Sequence, residues 1–255
     1  MHPRDPEARE ALGRYLGMRG APRVAVVLIE EARQFGADPS RVGNELVPLY
    51  GALGDWRAML TLMNAPLTGA ERKRAAWFIE HPFSSRTDSV GSVLVGPPAG
   101  DTVGRVAVHI GGRTAMGVLL AHDTGITVGA RLAGGTGRQF SGDSTVMALD
   151  SALIGSARIL NVPARLGGQP GAILVGMSVL GALTPTFDFG KNRVRFNRPA
   201  SVASSTRLPL IRAEGELFVL DGARWTPLAT YISKVAAARQ SVTIDFRAGE
   251  IRVQP

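Results

Sequence analysis

Residues 117–129 read "GVLLAHDTGITVG": an apolar run, an Asp-Thr-Gly triplet, then a second small β-rich segment. The run places a carboxylate, Asp123, at the end of a buried strand, beside a glycine suited to a tight turn. Two meanings compete for such a carboxylate. One is a surface turn. The other is a reactive aspartate held by the body of a β domain. The surrounding sequence has to choose.

The surroundings are β in texture from about residue 86 onward, where Gly, Val, Thr and Ser rise and alternation replaces a helical period. "RVAVHIGGRTAMGVLLAHD" predicts two strands joined at Gly111-Gly112, a glycine pair suited to a two-residue hairpin. Further strands are expected at 145–150, 153–160, 172–176, 185–189 and 192–196, the last two joined by "GKN" at 190–192. Short connections and alternating strands imply a compact, mostly antiparallel domain.

After the triplet comes a Gly-rich excursion, "AGGTGRQFSGDSTVMA". "GAILVGMSVLGAL" then offers a second apolar run ending in Gly176, and "TPTFDFGKNRVRF" closes with a hairpin. The ordered set over residues 103–196 resembles the retropepsin-like aspartic proteases: an Asp-Thr-Gly loop, a flap hairpin, a hydrophobic-hydrophobic-Gly segment with a short helix, and closing strands. The resemblance implies a fold and a chemistry. Two such loops meet, their aspartates share a proton and a water, and like charges that close cannot both ionise. One carboxylate takes a proton from water while the protonated partner polarises the peptide carbonyl. By the same resemblance Asp123 is the catalytic carboxylate and Thr124 bonds across to the partner loop. Gly125 lets the backbone turn closely, Thr127 bonds the carboxylate, and Gly176 packs its backbone against the loop. His122 departs from the pattern, standing where the family has an apolar residue. It reads either as a satisfied surface histidine or as a group that perturbs Asp123. Gly134, Gly135, Gly137 and Gly142 are candidates for the mobile part of the flap.

One triplet per chain implies a homodimer. The sequence holds another option. Residues 187–196, "FDFGKNRVRF", align without gaps on 244–253, "IDFRAGEIRV". Residues 117–123, "GVLLAHD", align on 215–221, "GELFVLD". The tail could be a shortened second copy with Asp221 matching Asp123, although "LDGARW" lacks the threonine and the segment has no room for a flap. The reading to prefer is an ordinary strand-turn-strand pattern, since alternating strands with Asp or Gly turns match easily.

Residues 5–80 are rich in Ala, Leu, Glu and Arg with apolar spacing near a helical period, predicting helices at 5–17, 22–35, 40–52, 55–64 and 69–80. Sliding by 34 places Gly20 on Gly54, Val24 on Ala58, Leu28 on Leu62 and Ile29 on Met63. This weak repeat resembles tetratricopeptide helical hairpins, implying either a docking surface or a helical cap. The expected fold class is therefore α+β multidomain. Helical hairpins occupy 1–82, a linker 83–102, a retropepsin-like β domain 103–200 and a β-rich extension 201–255.

Of the 255 residues, 45% are hydrophobic and 20% charged, a globular composition with a formal charge of +8. No dense basic run with interleaved aromatics points to nucleic acid. The absence of cysteine excludes disulfides and thiolate chemistry. His2, His81, His109 and His122 are scattered without metal-ligand spacing, and Ser144, Ser151 and Ser178 lack a nucleophile-elbow context. The expectation is an aspartic endopeptidase needing no metal or organic cofactor, with a peptide or protein substrate, acting as a homodimer or with a protein partner at the helices. A non-catalytic binding or scaffold subunit of the same fold is the alternative. No apolar stretch reaches the length of a membrane span, and residues 1–15 lack the apolar core of a signal peptide. The expected place is the cytoplasm, or the periplasm or exterior if a leader was removed.

Overall fold

The computed structural model describes residues 4–18, 21–62, 67–87, 91–122, 125–134, 136–140, 145–196, 205–213, 216–246 and 248–254. The chain forms two compact units. One is built on Met1–Pro82, with Phe140–Asp143 and Arg212–Glu214 grouped to it. The other comprises Phe83–Gln139, Ser144–Ile211 and Gly215–Pro255.

The first unit holds α1 (Pro6–Met18), α2 (Pro22–Gln34), α3 (Pro39–Leu53), α4 (Trp56–Thr61) and α5 (Gly69–Glu80). Their starts follow local chemistry. Asp38 and Asp55 accept from the Arg41 and Ala58 amides at 2.8 and 3.1 Å, and Pro39 fills the first turn of α3. Ile29, Ala32, Val42 and Leu46, each 0% exposed, lie in one apolar cluster. Gly13 lets α1 approach α2 closely, for a methyl there would sit 2.6 Å from Ile29 Cγ1. The buried Glu10 is answered by Arg14 Nη2 at 3.1 Å and Arg41 Nε at 2.7 Å, as a buried carboxylate requires.

The second unit holds two sheets. The first draws on β1 (Ser84–Thr87), β3 (Thr102–Ile110), β4 (Arg113–Leu120), β5 (Ile126–Val128), β6 (Gly137–Gln139), β7 (Val146–Ile154), β8 (Ala157–Leu166) and β9 (Ile173–Val175), in the order β1-β8-β5-β9-β4-β3-β7-β6. Because β7 also pairs with β8, the six strands β8-β5-β9-β4-β3-β7 close into a barrel. Alternation explains the filling. Val106, Val108 and Ile110 on β3 are at most 2% exposed, as are Leu149 and Ile154 on β7, while Arg105 and His109 point out. The β3–β4 turn has both glycines at positive φ, Gly111 at 54° and Gly112 at 77°, as a type I′ hairpin demands.

The second sheet runs β14-β13-β12-β16-β15-β10-β11-β2. It uses β2 (Ser92–Val93), β10 (Pro185–Asp188), β11 (Arg193–Phe196), β12 (Thr206–Ala213), β13 (Glu216–Asp221), β14 (Arg224–Pro227), β15 (Ser241–Asp245) and β16 (Glu250–Gln254). Short helices α6 (Ala130–Ala133) and α7 (Met177–Leu180), a 3-10 turn (Gly181–Leu183) and the longer α8 (Leu228–Ala237) complete the unit.

Three expectations are corrected. The break placed at 151–152 falls at Gly155-Ser156, because Ser151 pairs with Leu160 inside a continuous ladder. Residues 83–102 do more than link, since β1 and β2 pair into the two sheets. The β-rich tail also contains α8, whose Leu228, Tyr231, Ile232 and Val235 are buried at helical spacing.

Candidate active site

β4 ends at Leu120 and β5 begins at Ile126, yet the two do not pair. β9 lies between them. It runs parallel to β4 (Gly117↔Ile173, Val118↔Leu174, Leu119↔Val175) and antiparallel to β5 (Ile126↔Val175, Thr127↔Leu174, Val128↔Ile173). Strands that follow one another in sequence are thereby held two strand spacings apart, roughly 10 Å. The described residues flanking the Asp-Thr pair of this connection, His122 and Gly125, therefore adjoin strands that stand on opposite sides of β9.

The end of β9 pins both flanks of that connection. The Gly176 amide donates to the Gly125 carbonyl at 3.1 Å, and the Met177 amide donates to the His122 carbonyl at 2.8 Å. Gly176 caps α7 with φ −90° and ψ 170°, an extended conformation that points its amide at the turn. Asp123 and Thr124 themselves lie outside the described residues. Thr127 stands half-buried in the middle of β5, opposite Leu174 on one side and Arg165 on the other. Gly125, Thr127 and Gly176 are thus brought together at one end of the barrel.

His122 is accounted for by a residue the sequence reading missed. Its Nε2 lies 2.9 Å from Asp101 Oδ2, and the Asp101 carbonyl accepts the Ala121 amide at 2.8 Å. Nothing in the sequence flags Asp101, because its partnership depends on β3 beginning beside the end of β4. After the turn, β6 and β7 pair antiparallel (Gly137↔Leu149, Gln139↔Met147). Gly137 opens β6 where a methyl would overlap the Ala148 carbonyl, and Gly134 ends α6. Gly135 and Gly142 lie outside the described residues.

Asp221 stands elsewhere, at the end of β13 on the second sheet. β13 pairs directly with β14, with Asp221 opposite Arg224 and no strand between them. Lys234 Nζ approaches its carboxylate to 2.7 Å, and that hydrogen bond and charge hold the ammonium above its ordinary range. His81 Nδ1 lies 3.0 Å from the Trp77 carbonyl, and His109 Nδ1 lies 2.7 Å from Thr114 Oγ1. His2 and Ser144 are outside the described residues, while Ser151 lies on β7 and Ser178 on α7. Among the described residues no group of three or more His, Asp or Glu could hold a metal ion, and no helix is long and apolar enough to cross a membrane.

No family model and no curated protein matches this chain. Among solved structures it is similar to a retropepsin-like aspartic protease from Rickettsia conorii. That likeness has 13% identity and a TM-score of 0.32, covering 47% of this chain and 96% of the other. A TM-score at that level does not decide a fold, so the architecture stands on the strand order and register above.

Proposed function

We propose that this chain is an aspartic endopeptidase of retropepsin-like fold, hydrolysing peptide bonds through a water activated at Asp123. The observation that supports it is the insertion of β9 between β4 and β5, with Gly176 bonded to Gly125. A strand in that place keeps Leu120 and Ile126, the facing ends of β4 and β5, from pairing with each other as a hairpin. It favours a rigid loop at the end of an apolar barrel, where a carboxylate is preorganised. In this reading Asp123 is the base or acid of a carboxylate pair. Thr124 and Thr127 hold the loop by their hydroxyls, and Gly125 and Gly176 supply its backbone. The β6–β7 hairpin covers an extended peptide. The second carboxylate belongs to the Asp123 of another copy. The helices of the first unit are tetratricopeptide-like and serve to recruit or support.

A second reading has its own observation. Asp221, the one acidic residue aligned with Asp123, is paired with Lys234 in a closed hairpin. A chain that never meets a second Asp123 then has one usable carboxylate, and would bind peptides without cutting them. The test is cleavage of a diverse peptide mixture from about pH 3 to about pH 8, comparing the intact protein with Asp123→Asn, with the mass recorded on the same samples. Cleavage lost in the variant supports the peptidase. A folded protein that cleaves nothing at any pH sinks it and leaves the binding module.

A further inference from the structure

The two stretches aligned in the sequence, 187–196 and 244–253, become the hairpins β10–β11 and β15–β16, and these pair with each other. The residue opposite Thr186 is Thr243, 57 positions on and its equivalent at the same spacing, one residue before the aligned stretches; their hydroxyl oxygens lie 2.8 Å apart. Each hairpin repeats the other internally. Thr186 faces Arg195 as Thr243 faces Arg252, and Phe187 faces Val194 as Ile244 faces Ile251. Asp188 accepts from the Lys191 amide at 3.0 Å, and Asp245 accepts from the Ala248 amide at 3.0 Å. The turns close at matched positions with positive φ, Asn192 at 50° and Gly249 at 63°.

The match extends one strand further on each side. Ser92 and Val93 pair with Val194 and Arg193. Leu208 and Pro209 pair with Ile251 and Glu250, the equivalents of those partners. The Leu94 amide donates to the Asn192 carbonyl at 2.8 Å, and the Leu210 amide donates to the Gly249 carbonyl at 2.8 Å. The order β12-β16-β15-β10-β11-β2 therefore reads the same from both ends around the Thr186–Thr243 pair. An antiparallel contact in which the central residue meets its own equivalent, and its neighbour Phe187 meets Val242, the equivalent of Pro185, is what a two-fold contact between identical copies shows. Here both partners belong to one chain. The spacing that carries Asp123 onto Asp221 also carries Ile126, the first residue of β5, onto Arg224, the first residue of β14. The second set has no strand in the place of β9, so β13 and β14 close on each other.

We propose that residues 206–254 form a second half-lobe seated in cis where another copy of the β10–β11 hairpin would pair, so that this chain does not dimerise across β10. With β11 on one side and β15 on the other, β10 presents no free row of backbone groups. The inference stands on strand register and holds whether or not the protein cuts peptides. If it does cut them, two copies of Asp123 have to meet across another face.

The chain has no cysteine, so introduced thiols report cleanly. Thr186→Cys and Thr186→Cys/Thr243→Cys would be made in the full chain, treated with a mild thiol oxidant and weighed without reduction. Directly opposed residues of an antiparallel pair lie about 4.5–5.5 Å apart at Cα, within disulfide reach. The expected result is a monomer with a free thiol for the single variant, and an intrachain disulfide for the double. A covalent dimer from Thr186→Cys, or two free thiols persisting in the double variant, overturns the proposal. Because both threonines are at least half-buried, the unaltered chain gives a parallel readout. Hydrogen exchange over 185–188 should not change on about hundredfold dilution, whereas an edge covered by another copy exchanges faster as the copies separate. Neither experiment measures cleavage, so failure here leaves the peptidase reading untouched, and loss of that reading leaves the half-lobe untouched.

Discussion

The amide of Gly176 donates to the carbonyl of Gly125 at 3.1 Å, across the end of a strand that separates β4 from β5. Its neighbour Met177 does the same for His122. Two consecutive amides at the start of α7 therefore hold the residue before Asp123 and the residue after Thr124. The geometry links residues some fifty positions apart in sequence, and it ties both described flanks of the connection to the residues that follow β9.

Gly176→Pro tests that link. The native φ of −90° is close to what proline allows, but proline has no amide hydrogen. The Gly125 carbonyl would lose its partner, at a cost of about 1–3 kcal/mol. If the turn carries the chemistry, peptide cleavage should fall on the order of a hundredfold, since small misplacements of a reacting group cost that much. A variant that melts lower yet cleaves at the native rate would detach the turn from catalysis.

Asp221→Asn should leave peptide cleavage within about twofold of the parent, because the carboxylate is engaged by Lys234 in a hairpin turn of the second sheet. Steady-state kcat/KM on one good peptide decides it. A loss as deep as that of Asp123→Asn would make Asp221 the second carboxylate.

Much of this was legible because the signals were local. Proline or aspartate at the starts of α1 to α4, and Thr68 at the start of α5, marked the helices, and the glycine pair at 111–112 marked the β3–β4 hairpin. The hydrophobic run ending at Gly176 pointed to β9, but where it inserts is a matter of tertiary pairing that no local pattern carries. β1, with the sequence Ser-Ser-Arg-Thr, is exposed along its whole length and has no alternation to read. α8 was legible in principle, since Leu228, Tyr231, Ile232 and Val235 recur at helical spacing. The flanking strand-like segments masked it. Asp101 could not have been found, since it acts on His122 only through the fold.

Thr68 and Glu71 form a reciprocal cap on α5. The Glu71 amide donates to Thr68 Oγ1 at 3.2 Å, and the Thr68 amide donates to Glu71 Oε2 at 2.8 Å. Thr68→Ala removes an acceptor that alanine cannot replace, and should lower the stability of the helical unit by about 1 kcal/mol. Urea unfolding followed by helical circular dichroism reads this directly. Glu71→Ala in the Thr68→Ala background should add less than it does alone, because the two groups act as one cap. Fully additive losses would mean that they do not.

Tyr50 ties the stability of the same unit to alkaline pH. Its ring is nearly buried, and its hydroxyl donates to Glu30 Oε1 at 2.8 Å. Burial first, then the bond to and charge of Glu30, push the phenol well above its ordinary range. The folded state therefore binds that proton more tightly than the unfolded chain does. The stabilisation is complete below about pH 10, the ordinary phenol value. It drains away as pH rises from there through the folded value. Phenylalanine cannot ionise, so Tyr50→Phe should lose the hydrogen bond at neutral pH yet escape the alkaline loss. Glu30 keeps Arg33 Nη2 at 2.6 Å in either case. The gap in urea midpoint between parent and variant should be widest near neutrality and should narrow above about pH 10. A gap that stays constant across that range would show that Tyr50 does not hold its proton through the fold.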